Sequence, residues 1–351
     1  MGGTDGPDFG PIFIVGTMRS GSTLLRLVLD AHPDLAIGVE TGFMRSVDGI
    51  ITVPGFLFGD RWYERHGLAL SDLEARIAAF YDAIFRDHAH ALGRARWGEK
   101  TPFHVWHLER MARLFPDARF VVIVRHAGGA ATSLYEWRHD FTTQLHDWVS
   151  ENHEILRRAP ALGDRLCLLR YEDLLTDPRG VLQELLPFAG LSWSDDVLRH
   201  HEVHAARGNV EPVEGGSEPT RPIDPARAWG WREKLDAPAR AQVEAIAGET
   251  LRWFGYEADG ETLAPIGAHA LTSAAELTAR LVSQPLALAA PTGGARSNDD
   301  LTAQLDAAQA ELTRLRRQRS VRVARALSMA TRSRSTADLR ASWRLLTDKP
   351  V

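Results

Sequence analysis

The chain of 351 residues has a single cysteine, Cys167, so no disulfide can form within it. This cysteine lies in an apolar run, where we expect a small core residue. The sequence also has no apolar run of the roughly 20 residues that a membrane-spanning helix needs. No basic residue occurs between Met1 and Pro11, which argues against a secretory signal peptide. These absences predict a cytoplasmic location.

The net charge of −5 conceals a basic C-terminal end. From Leu312 onward, ten arginines and one lysine stand against two aspartates, which gives +9 and leaves −14 for the rest of the chain. Apolar residues interleave with these arginines, a pattern that fits contact with an anionic membrane surface. A solvated or dimerising helix, and hence a homo-oligomer, fits equally well. Nucleic acid is not an expected partner.

Changes of composition divide the chain into four predicted segments. Residues 1–10 form a disordered N-terminus, residues 11–258 one domain, residues 259–298 a flexible connector and residues 299–351 a helical, basic tail. The tail begins with a short heptad pattern, formed by Leu301, Leu305, Ala308, Leu312 and Leu315.

Three short apolar runs predict buried parallel strands, because each one precedes a helical pattern. The runs are Ile12–Val15, Arg119–Val124 and Arg165–Leu169. Strands that alternate with helices predict an α/β fold, a P-loop-like parallel sheet flanked by helices. In such folds ligands bind at the carboxyl ends of the strands.

Helical periodicity follows or separates these strands. The predicted helices are Leu24–Ala31, Ser71–Leu92, Phe103–Phe115, Glu172–Phe188 and Ala237–Phe254. Ser71, with Glu74 three residues later, is a predicted capping box. Residues 205–226 are rich in Gly, Pro, Glu and Arg, which predicts a long loop of the kind that often serves as a lid.

The first strand leads through a glycine-bracketed turn into a helix start, the plan of a phosphate-binding loop. Gly16 and Gly21 permit the turn, and unpaired N–H groups at the helix start attract an anion. The predicted contacts are Arg19, Ser20, Gly21, Ser22, Thr23 and Leu24. A nucleotide kinase would carry a lysine where Ser22 stands, so the loop does not fit magnesium-assisted phosphoryl transfer. A plain strand–helix turn with a surface arginine is the alternative.

A second candidate anion site follows the Arg119–Val124 strand. Arg125 comes directly after the strand, and Ser133 lies eight residues further on, in the next predicted helix. An arginine and a hydroxyl at this edge suit a second phosphate. The alternative is that Arg125 pairs with an acidic neighbour.

At this point the sequence resembles the sulfotransferases that use 3′-phosphoadenylyl sulfate, nearest the protein-tyrosine sulfotransferases and their bacterial relatives. Three segments carry the resemblance in one ungapped register: Met18–Leu24, Asp30–Asp34 and Gly38–Thr41. The resemblance implies 3′-phosphoadenylyl sulfate as co-substrate, which leaves as adenosine 3′,5′-bisphosphate, and requires no metal. It places the 5′ end of this donor on the first loop and the 3′-phosphate on Arg125 and Ser133.

The resemblance also implies roles for single residues. Glu40 matches the catalytic base, which removes the acceptor proton as the oxygen attacks sulfur. Lys100, just before Pro102, matches a lysine that neutralises charge on the bridging oxygen, and Arg19 assists it. Tyr171 is expected near the 3′ side of the adenosine. Either Ser217 or Thr220 is expected to face the sulfate, and Ser217 is the one that we predict. Glu172 and Asp173 are expected to cap the following helix.

The sequence departs from the family pattern at two positions. Met18 replaces a proline, and Gly42 stands where the tyrosine-sulfating enzymes have a peptide-binding arginine. The resemblance therefore implies the family's donor chemistry for this chain but does not imply a peptide-tyrosine acceptor. We expect direct in-line transfer to a hydroxyl of a small molecule, carbohydrate or lipid, in a pocket walled by residues 43–67 and 205–226.

Other functions remain as alternatives. A P-loop kinase would need the lysine missing at position 22 and an acidic strand end where Arg125 stands. A non-catalytic nucleotide-binding scaffold would not need both Glu40 and Lys100. His200, His201 and His204 could form a metal site, but without a further ligand we expect a solvated helix face.

Overall fold

The computed structural model describes residues 9–58, 62–135, 140–209, 218–257, 263–267 and 269–289. The predicted disordered N-terminus up to residue 8, Ser217, and the predicted heptads and basic tail lie outside the described residues. The chain divides into two compact units, Met1–Ala290 and Pro291–Val351. All of the described structure belongs to the first unit.

A six-stranded sheet forms the centre of this unit, in the order β2-β3-β1-β4-β5-β6. The strands are β1 (Ile12–Gly16), β2 (Leu35–Ile37), β3 (Arg96–Lys100), β4 (Arg119–Val124), β5 (Leu166–Arg170) and β6 (Thr272–Ser273). Strands β1 to β5 are parallel, and β6 is antiparallel to β5. The predicted α/β class, a P-loop-like sheet flanked by helices, is confirmed.

Twelve α-helices are present in the described residues. They are α1 (Ser22–Asp30), α2 (Met44–Phe58), α3 (Trp62–Arg65), α4 (Leu70–Ala91), α5 (Leu108–Leu114), α6 (Ala127–Tyr135), α7 (Phe141–Leu162), α8 (Tyr171–Thr176), α9 (Pro178–Phe188), α10 (His200–Ala206), α11 (Ala237–Trp253) and α12 (Ala274–Ser283). Short 3₁₀ helices include Pro102–His107, which leads into α5, and Gly230–Lys234, which precedes α11.

Some boundaries differ from the sequence prediction. Helix α4 begins at Leu70 with Ala69 as its N-cap, rather than at Ser71, and Asp72 accepts a hydrogen bond from the Ala69 N–H at 3.4 Å. The predicted helix 172–188 is two helices, because Asp177 caps a new start and Pro178 lacks the N–H that would continue the first one.

The predicted connector also differs in its first part. Residues 272–273 form β6 on the edge of the sheet, and α12 follows with Leu277 fully buried. Ser273 caps α12, and its hydroxyl accepts a hydrogen bond from the Glu276 N–H at 3.2 Å. This part of the chain therefore packs on the sheet although its composition resembles that of a linker.

Both faces of the sheet are covered, as parallel sheets require. Alternate side chains of β1 and β4 enter two separate cores: Phe13 and Phe120 lie on one side, whereas Ile12 and Val121 lie on the other. Cys167 is buried in the second core, as predicted. Because the sheet is held rigidly between these cores, the carboxyl ends of its parallel strands have fixed relative positions.

Candidate active site

The loop between β1 and α1 depends on tight backbone approaches. A Cβ on Gly16 would lie 2.5 Å from the Ile123 carbonyl oxygen, and a Cβ on Gly21 would lie 2.2 Å from Cδ2 of Tyr171. Gly21 has φ +96°, and Arg19 has φ +62°, which is costly for a residue with a side chain. The strain at Arg19 directs attention to this loop as a functional element.

Helix α1 begins without the usual side-chain cap. Its N-cap is Gly21, and the first turn contains no acidic residue. The N–H groups of a helix's first turn have no partner within the helix, and the helix dipole favours negative charge there. Ser22 is buried at the start of the helix, and Thr23 adds a second hydroxyl. The geometry suits an anion such as phosphate or sulfate.

An ion pair joins two of the predicted catalytic residues beside this loop. Lys100, the last residue of β3, is fully buried, and its Nζ contacts Oε1 of Glu40, which follows β2. The same Nζ donates a hydrogen bond to Oγ1 of Thr23 at 3.1 Å. Lys100 therefore connects the Glu40 carboxylate to the start of α1, an arrangement that no local sequence pattern reveals.

Glu99, the residue before Lys100 in β3, is a buried carboxylate that the sequence analysis missed. Its buried carboxylate accepts hydrogen bonds from the hydroxyls of Thr41, at 2.9 Å, and Thr101, at 2.5 Å, and faces His104 Nδ1 at 3.1 Å. Burial alone would raise the pKa of Glu99, but the hydrogen bond and charge of His104 and the two hydroxyls lower it. Glu99 thus ties the neighbours of Glu40 and Lys100 together.

Arg125 and Ser133 lie on the other side of the loop. The guanidinium of Arg125 stacks on the ring of Tyr171, 4.6 Å from its centroid, and donates to the Arg19 carbonyl at 3.2 Å. Arg19 Nε donates to the Ser133 hydroxyl at 2.8 Å. Among the described residues no carboxylate forms an ion pair with Arg125. The two predicted anion sites are therefore neighbours that share Arg19.

Glu172 does not cap the helix that follows it, contrary to the sequence expectation. It is fully buried and accepts hydrogen bonds from the His126 N–H at 3.0 Å and from the Tyr256 hydroxyl at 2.7 Å. Burial raises the pKa of Glu172, although these hydrogen bonds oppose the rise. Asp173 instead accepts from Arg170 Nε at 2.7 Å. Glu172 therefore fixes the turn that follows Arg125.

A cleft of about 250 Å³ opens over these elements. Its lining includes eight predicted site residues: Arg19, Gly21, Ser22, Thr23, Leu24, Glu40, Arg125 and Tyr171. Lys100 lies behind Glu40, and Ser20 is buried beneath the loop with no hydrogen-bond partner for its Oγ among the described residues. Ser217 is outside the described residues, and Thr220 does not line the cleft.

The histidines of α10 are not the solvated face that the sequence predicted. His200 and His204 are buried, and a ring nitrogen of His204 lies 2.9 Å from the Leu27 carbonyl oxygen. Burial lowers the pKa of His200 to about 4. Within the described ranges no group of three His, Cys, Asp or Glu side chains could hold a metal. The helix therefore packs through its histidines against α1.

Several relatives align with most of this chain. It is 26% identical over 260 residues to a putative protein-tyrosine sulfotransferase of Caenorhabditis briggsae, covering 70% of this chain and 89% of that protein. Protein-tyrosine sulfotransferase 1 of Danio rerio is 26% identical over 267 residues, covering 70% of this chain and 72% of that protein. The resemblance stated from the sequence is thereby confirmed.

The predicted cytoplasmic location is wrong. The relatives are protein-tyrosine sulfotransferases, which are enzymes of the Golgi membrane. Among the described helices none is long and apolar enough to cross a membrane. The reasoning failed because a count of cysteines and apolar runs carries little information about the compartment.

A solved structure is also similar to this chain. The sulfotransferase domain from the curacin biosynthetic pathway gives a TM-score of 0.49 at 22% identity, covering 69% of this chain and 97% of that domain. A profile of the sulfotransferase family matches residues 11–195. These residues include β1 to β5 and the loop of residues 17–21 between β1 and α1, which we call the cleft loop. Since this match spans more than half of the 351 residues, the chain belongs to the sulfotransferase family of enzymes.

Proposed function

We propose that this protein transfers a sulfuryl group from 3′-phosphoadenylyl sulfate directly to a hydroxyl of an acceptor. The observation that carries the proposal is the buried Lys100, which contacts both Glu40 and Thr23 at the uncapped start of α1. A base, a cation and an anion cradle thus meet at one wall of the cleft, which is what transfer between an anionic donor and a hydroxyl requires.

The donor would lie across the two neighbouring anion sites. The N–H groups of α1, with Arg19 and Ser20 to Leu24, would bind the 5′-phosphosulfate. Arg125 and Ser133 would bind the 3′-phosphate, with Tyr171 beside the adenosine. Two observations support the fit: Nε of Arg125 and Oγ of Ser20 are buried with no hydrogen-bond partner in the described part of the chain. A bound anion would supply the acceptor that such donors need.

The reaction would be a single in-line displacement at sulfur. Glu40 takes the proton of the acceptor hydroxyl while the new oxygen–sulfur bond forms. The bond from sulfur to the bridging phosphate oxygen breaks, and its electron pair leaves with adenosine 3′,5′-bisphosphate. Lys100 and Arg19 stabilise the negative charge that develops on that oxygen. No metal ion takes part in this scheme.

A phosphoryl-transferring kinase is less consistent with these residues. Position 22 is Ser, and β4 ends at Val124 with Arg125 next rather than an acidic residue. A non-catalytic scaffold does not explain why a fully buried lysine faces a partly exposed carboxylate inside the cleft. Burial of a charged group is costly, so a buried ion pair is expected where it has a functional role.

The acceptor is proposed only as a hydroxyl-bearing compound. The cleft is lined by Phe103 and Pro102 beside Glu40, which would provide apolar contact for the acceptor. Tyrosine peptides belong in the test because the relatives are named protein-tyrosine sulfotransferases. Small molecules, carbohydrates and lipids belong there because Gly42 stands where the tyrosine-sulfating enzymes have a peptide-binding arginine.

The test is transfer of radiosulfate from labelled 3′-phosphoadenylyl sulfate to tyrosine peptides and to fractionated metabolites, with and without a chelator. Glu40→Gln is expected to lower kcat by about 10²- to 10⁴-fold, the range for loss of a general base. Its affinity for adenosine 3′,5′-bisphosphate should not change. Glu244→Gln, at an exposed ion pair on α11, is the matched control and should keep full activity.

Two outcomes would overturn the proposal. One is an active Glu40→Gln variant, which would exclude this residue as the base. The other is a wild-type protein that binds no adenosine 3′,5′-bisphosphate but transfers phosphate from ATP in a chelator-sensitive reaction.

A further inference from the structure

The indole of Trp231 lies against the turn that carries Arg125. Trp231 belongs to the 3₁₀ helix Gly230–Lys234 and is only 8% exposed. Its ring stacks on His126, with centroids 4.2 Å apart and planes at 20°. Nδ1 of His126 in turn accepts a hydrogen bond from the Gly128 N–H at 3.1 Å. The indole is therefore held rigidly next to the end of β4.

Two glycines of α6 allow this close approach. A Cβ on Gly128 would lie 2.6 Å from Cζ3 of Trp231, and a Cβ on Gly129 would lie 3.0 Å from Cδ1. The Cβ on Gly129 would also lie 2.9 Å from Nε of Arg125. Gly129 therefore lies against both the pyrrole edge of the indole and the guanidinium of Arg125. Ser133 lies one helical turn beyond Gly129, on the same face of α6.

Two hydrogen-bond donors in this place have no acceptor. Nε1 of Trp231 and Nε of Arg125 are both buried, and neither has a hydrogen-bond partner in the described part of the chain. Leaving a buried donor unpaired costs about 1–3 kcal/mol. Native proteins satisfy nearly all such groups, so two unpaired donors on side chains that both lie against Gly129 indicate a ligand with acceptor oxygens.

We propose that Trp231 is a ligand-binding residue whose indole N–H donates a hydrogen bond to the 3′-phosphate that Arg125 and Ser133 bind. This inference rests on the proposed function, since it takes the donor nucleotide as the ligand. Trp231 then contributes to specificity, because a nucleotide without the 3′-phosphate leaves the indole N–H unpaired. His126 positions the ring and remains neutral, since burial lowers its pKa to about 3.

The first test compares binding of adenosine 3′,5′-bisphosphate and adenosine 5′-monophosphate by calorimetry. Trp231→Phe keeps an aromatic ring over His126 and removes the donor together with part of the indole's volume. We expect about a 10- to 100-fold loss of affinity for the bisphosphate, the range for a hydrogen bond to a charged group, and no change for the monophosphate. Trp253→Phe is the matched control, since its buried indole donates to the Gln284 carbonyl, away from the cleft.

The second test uses the wild-type protein and does not depend on the folding of a variant. The ¹⁵N-indole resonance of Trp231 should shift on addition of the bisphosphate and stay in place with the monophosphate. Equal bisphosphate affinity of Trp231→Phe and wild type, or an unmoved resonance in the bisphosphate complex, would overturn the role of Trp231 alone. A wild-type protein that binds no bisphosphate would overturn the proposed function as well.

Discussion

Single residues decide the shape of the cleft loop through backbone conformations that most side chains avoid. Gly21 and Arg19 both have positive φ, and Gly21 leaves room for the ring of Tyr171. The glycine could be predicted from the turn that the sequence requires. The contact with Tyr171 could not, since that residue is 150 positions away in the chain.

Substitution of Gly21 tests this contact. Gly21→Ala should lower the free energy of unfolding by about 1–3 kcal/mol for the strained backbone. It should also weaken binding of adenosine 3′,5′-bisphosphate about tenfold or more, because the new Cβ displaces Tyr171. Urea unfolding and calorimetry measure the two effects.

The matched control is Gly93→Ala. Gly93 has φ +70°, but a Cβ there would meet nothing within 4 Å. It should show the backbone cost and leave nucleotide affinity unchanged. Identical affinities of the two variants would contradict the role given to Gly21.

Buried polar residues were harder to predict than the loop. Glu99 lies in β3 and Glu172 follows β5. Glu99 accepts from Thr41 and from the nearby Thr101, and Glu172 accepts from the distant His126 and Tyr256. A sequence shows that such a residue is present but not which groups surround it. Buried carboxylates without partners are costly, so their positions could have signalled a hydrogen-bond network.

At the scale of elements, sequence patterns found the strands that are mainly apolar. β1, β4 and β5 match the predicted runs, whereas β2 has only three residues and β3 reads Arg-Trp-Gly-Glu-Lys. β3 places two charged side chains, Glu99 and Lys100, at buried positions. A strand that carries functional residues loses the pattern by which strands are recognised.

The division between α8 and α9 gives a prediction at this scale. The Asp177 carboxylate accepts a hydrogen bond from the Gly180 N–H at 2.9 Å and so caps α9. Asp177→Ala should lower the free energy of unfolding by about 1 kcal/mol, the usual loss for an N-cap. Asp164→Ala, at an exposed aspartate outside an α-helix, should change stability much less. Equal losses in urea unfolding would argue against the cap.

At the scale of the whole molecule, buried histidines set the response to pH. Burial lowers the pKa of His126 to about 3, and that of His107, His153 and His200 to about 4. Between these values and 6.5 the unfolded chain binds protons that the folded protein does not. Their stabilising effect is therefore complete above pH 6.5 and is lost as the pH falls toward 4. Burial also lowers the pKa of His204, and the raised pKa of Glu172 acts in the opposite direction, as one group against five.

We therefore expect the free energy of unfolding to fall between pH 7 and pH 5, by about 1 kcal/mol per histidine for each pH unit below 6.5. Denaturant unfolding at several pH values measures this slope. His153→Gln should reduce it by the share of one histidine, whereas His269→Gln, at an exposed side chain, should not. Constant stability across this range would contradict the prediction.

The sequence by itself determined the fold class, the glycine-bracketed turn before α1 and the family, because these depend on local periodicity, glycines and short motifs read in order. It also named Glu40, Lys100, Arg125 and Ser133 as candidates. Only the tertiary structure decided that Lys100 reaches Glu40 and Thr23, that Arg19 contacts both Ser133 and Arg125, and that Trp231 and Arg125 both lie against Gly129. These contacts join residues far apart in the chain, and they form only where parallel strands end at one edge of a packed sheet.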